Sequence, residues 1–304
     1  MIAVLIIAAV MLLLLGFLYY SYYRTFYSPH KNVSETHVPS SFQHSDEGQK
    51  LVDKLVSVPC EFVSIRSFDG LSLSARYYKG RDDMPLCICF HGYRGSAVRD
   101  FSGGAGFLLR EGCSVLLPDH RAHWRSEGHT ITYGIKERRD ALSWIEYAND
   151  RFGADKPVFL FGISMGAATV LMASGLELPA NVRGISADCP YNDPEAIIKH
   201  ICRKIRLSPT LMWPAIRLSG MIFGRFDIAS VKAAEEVKKA KVPILLIHGE
   251  ADDFVPTYMS EEIAEANPGL TERHTFPGAD HGTSYLCDPG RYERIIKDFL
   301  TKNL

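Results

Sequence analysis

The chain has 304 residues, 46% of them apolar and 23% charged, which is enough apolar material for one large α/β domain. A formal net charge of −1 with no basic stripe leaves no electrostatic footprint for nucleic acid, so that class of partner is excluded. No internal repeat or low-complexity tract interrupts the sequence.

The first element is MIAVLIIAAVMLLLLGFLYY, which holds no charged side chain and reaches the roughly 20 residues a bilayer requires. No Lys or Arg precedes the run and no small-x-small cleavage site follows it, so it does not read as a secretory signal. It ends in Tyr19, Tyr20, Tyr22 and Tyr23, which suit an aromatic belt at a membrane surface. Residues 1–23 are therefore expected to be a single-pass transmembrane anchor, with the membrane as a partner. Arg24 and Lys31 come before the first acid, Glu35, and by the positive-inside rule they direct the rest of the chain to the cytoplasmic side.

Residues 24–50 are polar and read as a stalk, which leaves 51–304 as the folded domain. CEFVSIRSFDGLSLSARYY then offers two alternating runs around Asp69-Gly70, a hairpin signal. From there the pattern changes to short continuous apolar runs: PLCICFHG, CSVLLPDH, PVFLFGIS, VRGISADCP and VPILLIHGE. Amphipathic stretches separate them, such as IKERRDALSWIEYANDRFG, where Ala141, Trp144, Ile145 and Ala148 recur at helical spacing. Buried strands alternating with helices predict an α/β fold, a mostly parallel sheet covered on both faces. Cys87, Cys89 and Cys113, three of seven cysteines, lie in these runs and read as reduced, small hydrophobes rather than disulfide partners. Cys87-x-Cys89 lacks zinc-ligand spacing.

In such sheets chemistry gathers in the loops after the strands. After PVFLF comes Gly162-Ile163-Ser164-Met165-Gly166, followed by the helix-forming AATVLMAS. Strand, Gly-x-Ser-x-Gly, helix is the setting of a nucleophile held on a strained turn, where glycines avoid Cβ clashes with neighbouring backbone. A serine hydroxyl needs a base, and the base needs a carboxylate to orient it. HGEADDFVP supplies Glu250, Asp252 and Asp253, and ERHTFPGADHG ends in His281. The order serine, acid, histidine fits, with room for one helix and one strand between acid and base.

The set GISMG, HGEADDFVP and GADHG resembles the α/β-hydrolase superfamily, in its prolyl-oligopeptidase-like and dienelactone-hydrolase-like branches, over about residues 60–302. DHRAHWRSEGHTITYGIKERRDALSWIEY resembles a stretch of membrane-anchored bacterial hydrolases. The resemblance implies that Asp252 rather than Asp253 is the triad acid, through the pattern His-Gly-x-x-Asp-x-x-Val-Pro. It also implies an oxyanion hole built from the amides of Tyr93, in HGYRG, and Met165. His91 reads as structural. Asp119 and Arg121 are expected to pair beneath the site rim. Trp124 stands where the family usually has glycine, adding bulk near the pocket. His120, His123 and His129 have only Asp119 beside them, and the triad chemistry needs neither metal nor cofactor, so none is expected.

The long stretch 190–230, with SPTLMWPAIRLSGMIFG, is either sheet-packing helices or a small helical lid. The expected activity is hydrolysis of a small-molecule carboxylic ester through an acyl-enzyme on Ser164. Peptidases and acyl-protein thioesterases carry the same triad, and fold analogy does not choose among them. A non-catalytic membrane scaffold normally lacks a triad member, and here Ser164, Asp252 and His281 are all present.

Overall fold

Helix α1 (Ile2–Thr25) opens the structure, a computed structural model that describes residues 1–29 and 34–304. At 1.5 Å per residue it is about 36 Å long, and it is apolar enough to cross a membrane. Lys31, used above for orientation, lies outside the described residues.

Helix α2 (Ser45–Ser57) precedes an antiparallel pair, β1 (Glu61–Arg66) and β2 (Ser72–Tyr78), in which Arg66 lies opposite Ser72. Gly70 turns the hairpin with φ 89°, a value open to glycine at no steric cost. After β3 (Leu86–Phe90) come two helices, α3 (Ala97–Asp100) and α4 (Ser102–Arg110). The Ser96 hydroxyl caps the first by accepting from the Arg99 amide. Next come β4 (Ser114–Pro118), α5 (Glu137–Phe152), β5 (Val158–Ile163), α6 (Met165–Ala173) and β6 (Val182–Asp188). Helices α7 (Pro194–Lys204) and α8 (Pro209–Ser219), a π-helical turn (Gly220–Gly224) and α9 (Ala233–Val237) lead to β7 (Ile244–Gly249). They are followed by α10 (Tyr258–Ala266), β8 (Thr271–Phe276), α11 (Ser284–Cys287) and α12 (Pro289–Asn303).

The eight strands form one sheet in the order β1-β2-β4-β3-β5-β6-β7-β8, parallel from β4 onward. The chain leaves β3 for β4 on one side and then crosses back to β5 on the other. That reversal opens a crevice at the carboxyl ends of β3 and β5, the place where ligands bind in open α/β sheets. Pairing of Phe90 with Gly162 brings the loop after β3 beside Ser164.

Alternate residues of the strands feed two cores. Leu86, Ile88 and Phe90 point into the cluster under α5 and α6, and Cys87 and Cys89 into the one holding Phe107 of α4 and Phe299 of α12. Burial pushes both thiols well up, so they remain protonated and act as small hydrophobes. All seven cysteines are free thiols.

The described part of 24–50 is not a free stalk. Tyr27 bridges to Thr130, Glu35 ion-pairs with both Arg76 and Arg125, and Val38 is buried. Helix α2 starts within it and buries Gly48, Val52 and Leu55. Composition hid this because few apolar residues suffice when the anchoring groups are ions and backbone. Within residues 190–230, Tyr191 and Ile197 join the core cluster that packs on the sheet, and only Lys204 reaches the cavity. Ile198, Cys202, Trp213, Ile216 and Phe226 form a third cluster with Tyr22 and Phe26, clasping the end of α1.

Candidate active site

Ser164 follows β5 and caps α6 at φ 57°, ψ −113°, a strained conformation for a residue with a Cβ. The turn that imposes it admits no side chains on either flank. A Cβ on Gly162 would lie 2.3 Å from the Gly166 carbonyl carbon, and one on Gly166 would lie 1.8 Å from the Phe90 carbonyl oxygen. Both obstacles are backbone, so neither can step aside. The Ser164 amide donates to the Asp188 carbonyl at 2.8 Å, tying the turn to the end of β6.

Three of the expected residues meet above the sheet. The Ser164 hydroxyl donates to Nε2 of His281 at 2.9 Å, and Nδ1–H of His281 donates to Oδ2 of Asp252 at 2.7 Å. The carboxylate fixes the tautomer, because an ionised Asp accepts only. Oδ1 of Asp252 accepts from the amides of Phe254 (3.0 Å) and Val255 (2.8 Å). Burial opposes ionisation of Asp252, yet hydrogen bonds from His248 and His281 hold its carboxyl well below the usual range. Asp253 faces solvent with its side chain 76% exposed and pairs with Lys204 at 2.6 Å. The two adjacent acids are thus separated by burial as well as by pattern.

The loop after β3 passes close to the serine: a Cβ on Gly92 would stand 3.4 Å from that of Ser164. Three bonds pin the loop. The Gly92 amide donates to Oδ2 of Asp100 at 2.8 Å, its carbonyl accepts from Nδ1 of His91 at 2.8 Å, and Nε2 of His91 accepts from the His120 amide at 3.1 Å. Burial, with His120 adding to it, lowers the His91 pKa to about 3, so the ring is a neutral structural strut. Met165 follows Ser164 as the first residue of α6. Among the described residues neither the Tyr93 nor the Met165 amide hydrogen has a protein acceptor. The Tyr93 hydroxyl is used elsewhere, donating to the Thr25 carbonyl at 2.8 Å.

A cavity of about 420 Å³ opens on Ser164 and His281. Val38, Phe42, Leu51, Phe101, Phe254 and Leu286 supply apolar wall. Residues 38–51 thus supply part of its wall, and Lys204 is all that 190–230 contributes to the lining. Gln43 joins this wall to the histidine loop. Its Oε1 accepts from the Asp280 amide (3.0 Å) and the Thr283 hydroxyl (2.8 Å), and its Nε2 donates to the Gly278 carbonyl (3.0 Å).

A family profile described as alpha/beta hydrolase fold matches residues 85–219. The solved esterase Pf2001 of Pyrococcus furiosus superposes with a TM-score of 0.67 at 22% identity, covering 82% of this chain and 93% of that one. Est1E of Butyrivibrio proteoclasticus, solved with ferulic acid, gives 0.60 at 21% identity over 79% of this chain and 98% of its own. The fold is that of the α/β hydrolases. Among sequence relatives, the protein YqkD of Bacillus subtilis is 26% identical over 85% of each chain. Protein bem46 of Schizosaccharomyces pombe is 24% identical over 97% of this chain and 91% of its own.

Within this α/β-hydrolase frame several expectations change. Arg121 does not pair with Asp119. It sits between Asp140 (2.6 Å) and Asp69 (2.9 Å), fixing α5 to the β1–β2 hairpin. Asp119 instead accepts from the Arg125 amide, and burial, aided by the Glu35 charge, raises its pKa to about 7. Trp124 does not line the cavity. It adopts a left-handed φ of 45°, a region that favours glycine, and its indole donates to the Gly95 carbonyl at 3.0 Å. Sequence reasoning passed over Cys189, whose Sγ lies 4.0 Å from Nε2 of His281 at the end of β6. It also missed Asp188, at the cavity floor, whose pKa burial raises to about 6. Both directly follow or end an apolar run, which was the available signal.

Proposed function

We propose that the chain is a membrane-anchored serine hydrolase that cleaves a carboxylic ester through an acyl-enzyme, with α1 spanning the membrane and the domain on its cytoplasmic side. The observation that carries this reading is the continuous hydrogen-bonded line from Ser164 through His281 to Asp252, opening on an apolar cavity. In it, Nε2 of His281 takes the hydroxyl proton as Ser164 attacks the carbonyl. Asp252 steadies the imidazolium that results, and the free amides of Tyr93 and Met165 receive the developing oxyanion. His281 then returns its proton to the leaving alcohol, and water repeats the sequence to release the acid. The α/β-hydrolase fold and the esterases among its structural neighbours support a hydrolase of this kind.

The test is a graded series of soluble esters, from acetate upward, with matched thioesters and aminoacyl amides. Each methylene entering the cavity is worth about 0.8 kcal/mol, so kcat/KM should rise about fourfold per carbon until the space is filled. An amide or thioester preferred over its ester counterpart would replace the ester reading. A flat profile with acyl length would remove the cavity from it.

A further inference from the structure

Helix α8 is apolar on two sides. One side, with Trp213 and Ile216, closes on the end of α1. The other carries Leu211, Pro214, Leu218, Met221 and Ile222, spaced by three and four residues as one continuous stripe through the π-helical turn, and it faces outward. Leu211 is 75% exposed and Met221 and Ile222 nearly half exposed, an apolar strip of the kind that marks an interaction surface.

Its neighbours identify the occupant. The ring of Phe223 meets that of Tyr19 at 5.3 Å and that of Tyr22 at 5.7 Å. The turn therefore lies level with the tyrosines that finish the apolar run of α1, where aromatic side chains occupy the membrane interface. The flanking charge is predominantly positive: residues 196–226 contain six Lys and Arg and no Asp or Glu, with Glu195 and Asp227 at its two borders. Lys199, Lys204 and Arg217 are paired to acids outside that span, while Arg203, Arg206 and Arg225 are exposed without an ion pair among the described residues. An apolar stripe bordered by cations fits an anionic lipid surface.

We infer that α8 and the π-helical turn lie in the headgroup layer of an anionic bilayer beside α1, so that the rim of the Ser164 cavity faces that layer. The rim belongs to the same assembly. Lys204, which lines the cavity, is followed by exposed Ile205 and Leu207, and Tyr93, also lining it, holds the last turn of α1 through Thr25. Amphiphilic acyl substrates would then enter from the membrane rather than from bulk water. This rests on reading α1 as a membrane span, and the experiment separates the two.

Single tryptophans are introduced as I7W in α1, L211W in α8 and L304W at the far end of the sheet. Each full-length variant is reconstituted into phosphatidylcholine vesicles with brominated acyl chains, with and without phosphatidylglycerol. The wild type, with its own three tryptophans, is the baseline. An interfacial helix buries its apolar face roughly 5–10 Å deep, so the added L211W emission should be quenched at least about twofold more than that of L304W. It should be quenched more with phosphatidylglycerol than without. Quenching of I7W with L211W no different from L304W keeps the anchor and overturns the inference. Absence of quenching at both I7W and L211W overturns the inference together with the anchor. L211W quenching indifferent to phosphatidylglycerol removes the anionic surface from it.

Discussion

Gln43 offers the sharpest perturbation, because it lies in a polar stretch far from the triad in sequence and touches none of its members. Gln43→Ala removes three hydrogen bonds that fasten residues 278–283, the loop carrying His281. Each is worth about 0.5–1.5 kcal/mol net, and for a half-buried group the lower part of that range applies, giving about 2 kcal/mol in all. If most of that loss falls on the placement of the imidazole, kcat falls about tenfold and at most about 30-fold. The assay is kcat on a short ester such as p-nitrophenyl acetate, which does not engage the wall formed by 38–51, together with Tm. Gln43→Glu keeps the acceptor for Asp280 and Thr283 but cannot donate to Gly278, so it should fall between wild type and alanine. Wild-type kcat and Tm in Gln43→Ala would refute the idea that this segment positions the base.

Asp252→Asn leaves the packing intact but presents the wrong hydrogen-bonding partner to Nδ1, and steady-state kinetics should show kcat reduced about 10³–10⁴-fold, whereas Asp253→Asn should stay within about twofold of wild type. Asp119 gives a pH signature. Its pKa is raised to about 7 in the fold from an ordinary 3.8, so the native state binds the extra proton and stability declines as pH rises through that interval. The difference of about three units corresponds to a loss on the order of 4 kcal/mol, and chemical denaturation of Asp119→Asn from pH 4 to 8 should show that slope flattened. Removing residues 1–17 should leave the hydrolysis of water-soluble esters unchanged, because the first buried residue of α1 is Leu18. Removing 1–50 strips Val38, Phe42 and Gln43 from the site and should raise KM for long-chain esters and lower kcat for all of them.

The sheet was legible because its strands are buried on both faces and read as unbroken apolar runs, each closed by a loop. The Ser164 turn was legible for a related reason: Gly162 and Gly166 are forced by backbone approaches that no other residue type survives. His281 followed from the loop after the last strand, whereas the loop before it left Glu250, Asp252 and Asp253 open until the resemblance of HGEADDFVP to the family pattern singled out Asp252. What escaped was chosen by three-dimensional neighbours rather than by local pattern. Residues 34–51 look like a spacer in composition, yet Glu35 is held by two arginines from separate elements and Gln43 by a loop more than 230 residues away. The stripe on α8 had the spacing of a buried helix. Only the position of α1 reveals that one of its two apolar faces is covered and the other is not. Arg121 was assigned the nearer acid in sequence, while the fold gave it Asp140 and Asp69.

The central claim is that the Ser164 oxygen is the nucleophile, and covalent capture tests it most directly. The full-length protein treated with a fluorophosphonate should carry one adduct, mapped by peptide mass spectrometry to the peptide containing Ser164. The adduct should be absent in Ser164→Ala and formed far more slowly in His281→Ala. Ser164→Ala that still takes up the probe and hydrolyses esters at the wild-type rate would contradict the account.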